Sequence, residues 1–200
     1  MGRPRMFDET AVLDAAVGEF RVHGFADTST EQLCDASGVR RSSLYNTFES
    51  KDELFVRALE RYVSVTGQAQ EAALTDESAS GAERLRALLD LVVTEERDAA
   101  VRGHAAGCMV VGSRMTPDLG TRDERIKTLL DRALERQTSL LVQAVRMGRL
   151  DGSLRHDLDP HTAALTVITL ISGLRVLAQA GAGSDELRGV ADLALSTLLP

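Results

Sequence analysis

The sequence predicts an all-α fold, with a three-helix head followed by a larger helical body. Three observations point there. Only four prolines occur in 200 residues, and the long runs are rich in Ala, Leu, Arg and Glu, all good helix formers. No stretch shows the strict apolar–polar alternation of a half-buried strand. Aromatic residues make up 4% of the chain and Trp is absent, so the core must be built mainly from Leu, Val, Ala and Ile.

The first helix is expected over residues 8–23. Val12, Ala16 and Phe20 recur at i, i+4 and i+8, with Leu13 and Val17 beside them, giving one apolar stripe. Gly24 follows, where a left-handed residue ends a helix. A short second helix starts near Ser29 or Thr30. Ser29 with Gln32, and Thr28 with Glu31, both have capping-box spacing, so either pair can open it. Leu33, Cys34 and Ser37 line one side before Gly38-Val39 interrupts. A third short helix spans residues 41–47, with Leu44 and Phe48 facing inward. Ser50 and Glu53 form a further capping box, which opens a long fourth helix reaching about residue 73. Residues 75–81 are small and polar and read as a loop. The head is therefore placed at residues 1–62, its fourth helix running on to about 73, and the body at 74–200.

Body helices are expected over residues 82–97, 103–113 and 119–147. Asp159-Pro160 then reads as an N-cap followed by a proline in the first helical position. The helix it opens carries Leu165, Ile168, Ser172, Val176 and Ala180 and stops near Gly181. Ser184 or Asp185 caps a last helix with Leu187, Val190, Ala191, Ala194 and Leu198. The apolar run from 163 to 174 is too short to span a bilayer and reads as a buried helix, so no membrane partner is expected. The N-terminus lacks the apolar segment of a signal peptide. Two cysteines, Cys34 and Cys108, make no disulfide framework and fit a reduced, cytoplasmic setting.

Function is harder to read from charge. The chain carries a net charge of −7, and its first 62 residues hold more acids than bases. Basic footprints are local, however. Arg3 and Arg5 form one acid-free patch and Arg40 and Arg41 another, with Lys51 close behind.

Two short helices joined by a glycine turn within residues 29–48 have the layout of a helix-turn-helix. The second helix of such a pair enters a major groove about 12 Å wide, while the first braces it across the backbone. Spacing alone leaves a plain helical hairpin open. Residues 28–54, TSTEQLCDASGVRRSSLYNTFESKDEL, strongly resemble the DNA-binding signature of the tetracycline-repressor (TetR) family, and Phe20, Gly24 and Phe25 fit the same pattern. The resemblance covers about the first 60 residues closely; the later helices match only in layout. It implies about nine helices in total, a homodimer binding double-stranded operator DNA, and a body that binds a small-molecule effector and relieves repression.

Carried over by position, Thr30, Tyr45 and Lys51 resemble the family's phosphate contacts. Arg41, Ser42, Ser43 and Asn46 fall where the family reads bases. Arg40 stands where a small capping residue is usual, so either the helix start shifts or Arg40 is recruited to DNA. Ser42 replaces a frequent Gly, and Cys34 a usual Ala. Arg3 and Arg5 resemble an N-terminal arm on DNA.

For the ligand, the resemblance directs attention to residues 107–113; the candidates are Cys108, Met109, Ser113 and Met115, with Arg175, a charge inside an otherwise apolar helix that could pair with a ligand carboxylate. Packing through small residues remains open for the former segment, and a structural salt bridge for Arg175. The last two helices are expected to form a two-fold interface through Leu165, Ile168, Ile171, Ser172, Leu187 and Leu195, because the penultimate helix is apolar around much of its circumference. Other readings stay open: a helical small-molecule binder without DNA binding, and a redox or electrophile sensor acting through Cys108. The four histidines are scattered, no metal-ligand spacing occurs, and neither a phosphate loop nor a nucleophile elbow is present, so no metal, cofactor or enzyme activity is expected.

Overall fold

The computed structural model describes residues 8–101, 107–116 and 118–200. Arg3 and Arg5 lie outside the described residues. Among those described, the secondary structure is ten helices: α1 (Glu9–Asp27), α2 (Thr30–Ser37), α3 (Arg41–Phe48), α4 (Lys51–Thr75), α5 (Gly81–Val101), α6 (Met109–Met115), α7 (Leu119–Arg122), α8 (Glu124–Asp151), α9 (Pro160–Gln179) and α10 (Ser184–Ser196). They form two compact units. The first takes the chain up to Ser64 together with Met109–Leu129, and the second takes the remainder.

In the first unit, Asp8 caps α1 by accepting the N–H groups of Thr10 and Ala11. Gly24 has φ 74° and ψ 177°, a conformation that a side chain would strain. Instead of stopping there as expected, the helix kinks and makes one more turn to Asp27. The buried Thr28 hydroxyl closes that turn by donating to the Gly24 carbonyl. Phe20, Phe25 and Phe55 form the centre. Phe55 meets Phe20 edge-on at 4.9 Å and Phe25 at 5.1 Å, a favoured aromatic geometry. Leu33, Leu44, Phe48, Leu54 and Leu59 fill in around them. At the rim, Arg57 pairs with Glu9 and Arg61 with Asp14, tying α4 to α1.

The stretch expected as one helix over 119–147 is divided. Asp123 is extended, at φ −145° and ψ 114°, and its carboxylate accepts the Arg125 backbone N–H at 2.9 Å. An aspartate bonding two residues ahead offers the chain a turn in place of a helix. The helix expected over 103–113 is described only from 107 onward, where α6 begins at Met109; residues 103–106 lie outside the described residues.

The second unit is held by a core of Leu85, Leu88, Leu89, Val92 and Val93 on α5, Leu141, Ala144 and Val145 on α8, and the inner faces of α9 and α10. The N-terminus of α5 is satisfied from across the unit. Asp151 accepts the Gly81 N–H at 2.9 Å and Ser153 accepts that of Ala82 at 3.0 Å. Gly81 packs so closely that a Cβ there would lie 2.2 Å from the Cα of Gly148. Asp159 caps α9 by accepting the Thr162 N–H, with Pro160 in the first turn as expected. At α10 the cap falls on Gly183, whose N–H donates to Glu186, rather than on Ser184 or Asp185.

By length and composition the whole of α9 could cross a membrane, which its central run alone could not. It instead turns Ala164, Val167, Ile171 and Leu174 into the core. This corrects part of the expected dimer face. Ile171, Leu187 and Leu195 are buried in the unit's own core, because α9 and α10 use those positions to pack on α5. Ile168 and Ser172 are half-buried, and Leu165 is exposed. The apolar surface left over on the two helices is Leu165, Val176, Leu177, Val190 and Leu193, the last of them 71% exposed. Arg175, expected as a ligand partner or a structural salt bridge, is 3% exposed and donates to Glu96 at 2.7 Å and Glu95 at 2.6 Å.

Candidate nucleic-acid interface

Local chemistry sets the position of α2. The Ser29 hydroxyl accepts the Gln32 N–H at 3.2 Å, and the Gln32 side chain accepts the Ser29 N–H at 2.8 Å. This reciprocal capping box selects Ser29 over Thr28 as the helix start. Gly38 ends α2 in the left-handed conformation, φ 67° and ψ 17°, where glycine carries no Cβ penalty. The chain reverses there into α3.

Leu44 and Phe48 are buried beneath α3. The helix period therefore turns Arg41, Ser42 and Asn46 outward, and all three are exposed; Ser43 is half-buried. Arg40 is the N-cap residue, is exposed, and makes no side-chain cap. The helix start has not shifted, so one or more first-turn N–H groups lack the usual side-chain acceptor. Neither Arg40 nor the first turn of α3 carries an acid, so the positive end of the helix is not offset by a neighbouring carboxylate in sequence. At the other end, Glu49 has φ 61° and ψ −46° and the Ser50 N–H bonds the Phe48 carbonyl. This tight, strained turn joins α3 directly to α4.

The flanking residues converge on α3. The hydroxyls of Thr30 and Tyr45 lie 2.6 Å apart, and the Arg41 guanidinium carbon is 5.8 Å from the centre of the Tyr45 ring. Lys51, first residue of α4, holds its ammonium 4.7 Å over the Phe25 ring and donates to the Ala26 carbonyl at 3.4 Å. Partial burial draws its pKa below the ordinary lysine value, an effect that Asp52 and Asp27 oppose and Arg122 reinforces. Arg122 was not anticipated. It also lies over Phe25, 5.2 Å from the ring centre, and forms an ion pair with Asp52, its Nε 2.9 Å from a carboxylate oxygen. It comes from a segment more than sixty residues beyond the helix-turn-helix, and no local signal reveals it.

The arrangement combines forked donors, hydroxyls and a cation on one exposed helix and its flanks. Arginine can bond guanine O6 and N7, and Asn the adenine edge; hydroxyls and lysine suit phosphate.

The expected ligand residues do not share a unit. Met109, Ser113 and Met115 fold in the first, Cys108 and Arg175 in the second. Met109 and Ser113 are buried, and the Ser113 hydroxyl donates to the Met109 carbonyl within its own helix. Met115 is 78% exposed, and Cys108 is half-buried. A groove of about 740 Å³ runs along α8 and α9 in the second unit, lined by Leu134, Thr138, Val142, Arg146, His161 and Leu165. It includes none of the five. Neither cysteine forms a disulfide, and burial raises the pKa of the Cys34 thiol.

Residues 12–58 match the family model for bacterial regulatory proteins of the tetR family, and residues 81–192 match the tetracyclin repressor-like C-terminal domain. The transcriptional repressor ComR of Escherichia coli is 29% identical over 97% of this chain and 90% of its own length. BdcR, another E. coli repressor, is 32% identical over 61% of this chain and 60% of its own length. Among solved structures, a cysteine-substituted CifR complexed with 26-base-pair operator DNA is 30% identical, with a TM-score of 0.80, covering 98% of this chain and 100% of that one. A regulator from Rhodobacter sphaeroides shares the fold at a TM-score of 0.81 and 20% identity, over 95% and 98% of the two chains. The chain belongs to the TetR family and is a DNA-binding transcriptional regulator.

Proposed function

We propose that the protein is a repressor that binds a palindromic operator as a homodimer and is released by a small-molecule effector. The observation that carries this reading is the outward face of α3. Arg41, Ser42 and Asn46 are exposed on it, with Thr30, Tyr45 and Lys51 on its flanks. In this reading Arg41, Ser42, Ser43 and Asn46 meet base edges, and Thr30, Arg40, Tyr45 and Lys51 hold phosphates. The repressor names of ComR and BdcR and the operator complex of CifR support the direction of control and the DNA partner.

Dimerisation is proposed through the exposed apolar face of α9 and α10, formed by Leu165, Val176, Leu177, Val190 and Leu193, with Ile168 and Ser172 at its edge. A self-complementary two-fold contact on that face supplies two heads for half-sites about 34 Å apart or a related spacing. An effector that binds one head arrangement better than another lowers DNA affinity by that difference. The protein acts without catalysis, in the bacterial cytoplasm where the DNA is.

A gel shift with the DNA upstream of the protein's own coding region tests the reading. Specific retardation that survives excess competitor DNA is expected. Retardation of no duplex under low salt leaves a helical small-molecule binder as the alternative.

A further inference from the structure

An acid-rich head is a poor surface for a polyanion, and the acids crowd one of its proposed phosphate contacts. Asp52 and Glu53 follow Lys51 directly in the first turn of α4. The fold answers each with an arginine from a distant segment of the same unit. Asp123 interrupts the helix between α7 and α8, leaving Arg122 at the end of α7 and Arg125 at the start of α8. Arg122 pairs with Asp52, N···O 2.9 Å, and Arg125 donates to Glu53 at 2.9 Å.

The two arginines are not equivalent. Arg125 is shared between two carboxylates, Glu53 and Asp123, the latter at 2.7 Å. Its charge is more than matched. Arg122 approaches Asp52 through Nε without a hydrogen bond to it, its side chain is 59% exposed, and it shares the Phe25 ring with the Lys51 ammonium. A guanidinium has five N–H donors in a rigid fork, and its terminal nitrogens suit a phosphate. We propose that Arg122 is a DNA-backbone contact supplied from outside the helix-turn-helix, binding phosphate beside Lys51, with Asp52 orienting the guanidinium and opposing the DNA. The inference rests on the proposed DNA interface and on the phosphate role of Lys51.

The test uses the full-length protein and a mixed-sequence duplex, with binding followed by fluorescence anisotropy across a salt series. Arg122→Gln should weaken binding and reduce the slope of log affinity against log salt by about 0.9 for each bound head. Arg125→Gln should leave the slope unchanged. Asp52→Asn should tighten binding, because it removes a negative charge from the phosphate site while Arg122 stays. A pair serving only to hold the head together predicts that Arg122→Gln and Asp52→Asn weaken binding alike, with lowered melting temperatures, and that result would overturn the proposal. So would an unchanged slope in Arg122→Gln alongside a reduced slope in Lys51→Ala, which would leave the DNA interface standing without Arg122. If neither wild type nor any variant binds a duplex at low salt, the interface itself fails and this inference falls with it.

Discussion

The Tyr45 phenol oxygen lies 2.6 Å from the Thr30 hydroxyl, so α2 and α3 are joined at the surface by two groups that each also suit a phosphate oxygen. Tyr45→Phe removes one of them and keeps the ring beside Arg41. Stability should fall by about 1 kcal/mol, the net worth of one hydrogen bond. DNA binding should weaken on every sequence alike, because phosphates carry no base identity. Anisotropy on several duplexes, with a thermal melt alongside, checks both; weakening confined to one sequence would contradict the phosphate role.

Arg40 separates stability from function. It stands at the N-cap of α3 without capping it. Arg40→Ser should supply the missing acceptor and raise stability by about 1 kcal/mol. The same change removes a cation from the proposed interface, so DNA affinity should drop. A melting curve and a binding isotherm moving in opposite directions is the expected outcome; a gain in both would mean that Arg40 has no part in binding.

Leu193→Glu and Val176→Glu test the dimer on residues that the chain leaves exposed. Each should give a folded monomer, seen by analytical ultracentrifugation with unchanged helical circular dichroism, and with weakened binding to a palindromic site. A Glu at Ile171 would instead unfold the second unit, since that side chain lies in its core. Glu variants that remain dimers would remove α9 and α10 from the interface.

Arg175→Ala should be severe. Glu96, with a side chain 1% exposed, would lose the guanidinium that neutralises it. Breaking a buried pair from one side costs about 3–5 kcal/mol. Urea denaturation measures the loss, and a change under 1 kcal/mol would mean that water reaches the site.

The cap on α5 makes a prediction in pH. Bonds from Ser153, and from the Gly81 backbone, hold the Asp151 pKa below its ordinary 3.8. A depressed folded pKa means that the stabilisation is complete above the unfolded value and is lost as pH falls through the folded one. Asp151→Asn should therefore melt lower than wild type at neutral pH, and the gap should close in acid, below about pH 4. A gap that persists there would show that the loss is steric.

Elements written in short-range chemistry were legible in the sequence. The capping box at Ser29, the left-handed Gly38, and Asp159-Pro160 each act within four residues; Gly38 and Asp159-Pro160 do what the sequence predicts, and the structure takes Ser29 from the two caps that spacing allowed. The layout of α3 followed from them, with Leu44 and Phe48 inward. What failed depended on distant partners. Helical periodicity runs through Asp123, yet the chain breaks there in a segment bound to residues about seventy positions earlier. Since α9 is apolar on nearly every side, its pattern could not separate Ile171, which faces the core, from Val176, which faces solvent. Arg122 was invisible for the same reason: its meaning lies in Phe25 and Asp52, far away in sequence. The proposed roles of the α3 residues rest on the family pattern and their exposure, and the variants above test them one by one.

Lys51 rests over an aromatic ring with its ammonium bonded to the Ala26 carbonyl. A solvated lysine carries about 2 kcal/mol of rotamer entropy into any contact it forms. Here much of that freedom is already surrendered in the unbound protein, and folding rather than association bears the loss. The phosphate contact should then form with little entropic penalty of its own. Calorimetry would register this as an unfavourable entropy of binding that grows when Phe25→Leu releases the side chain, even where the affinity changes little.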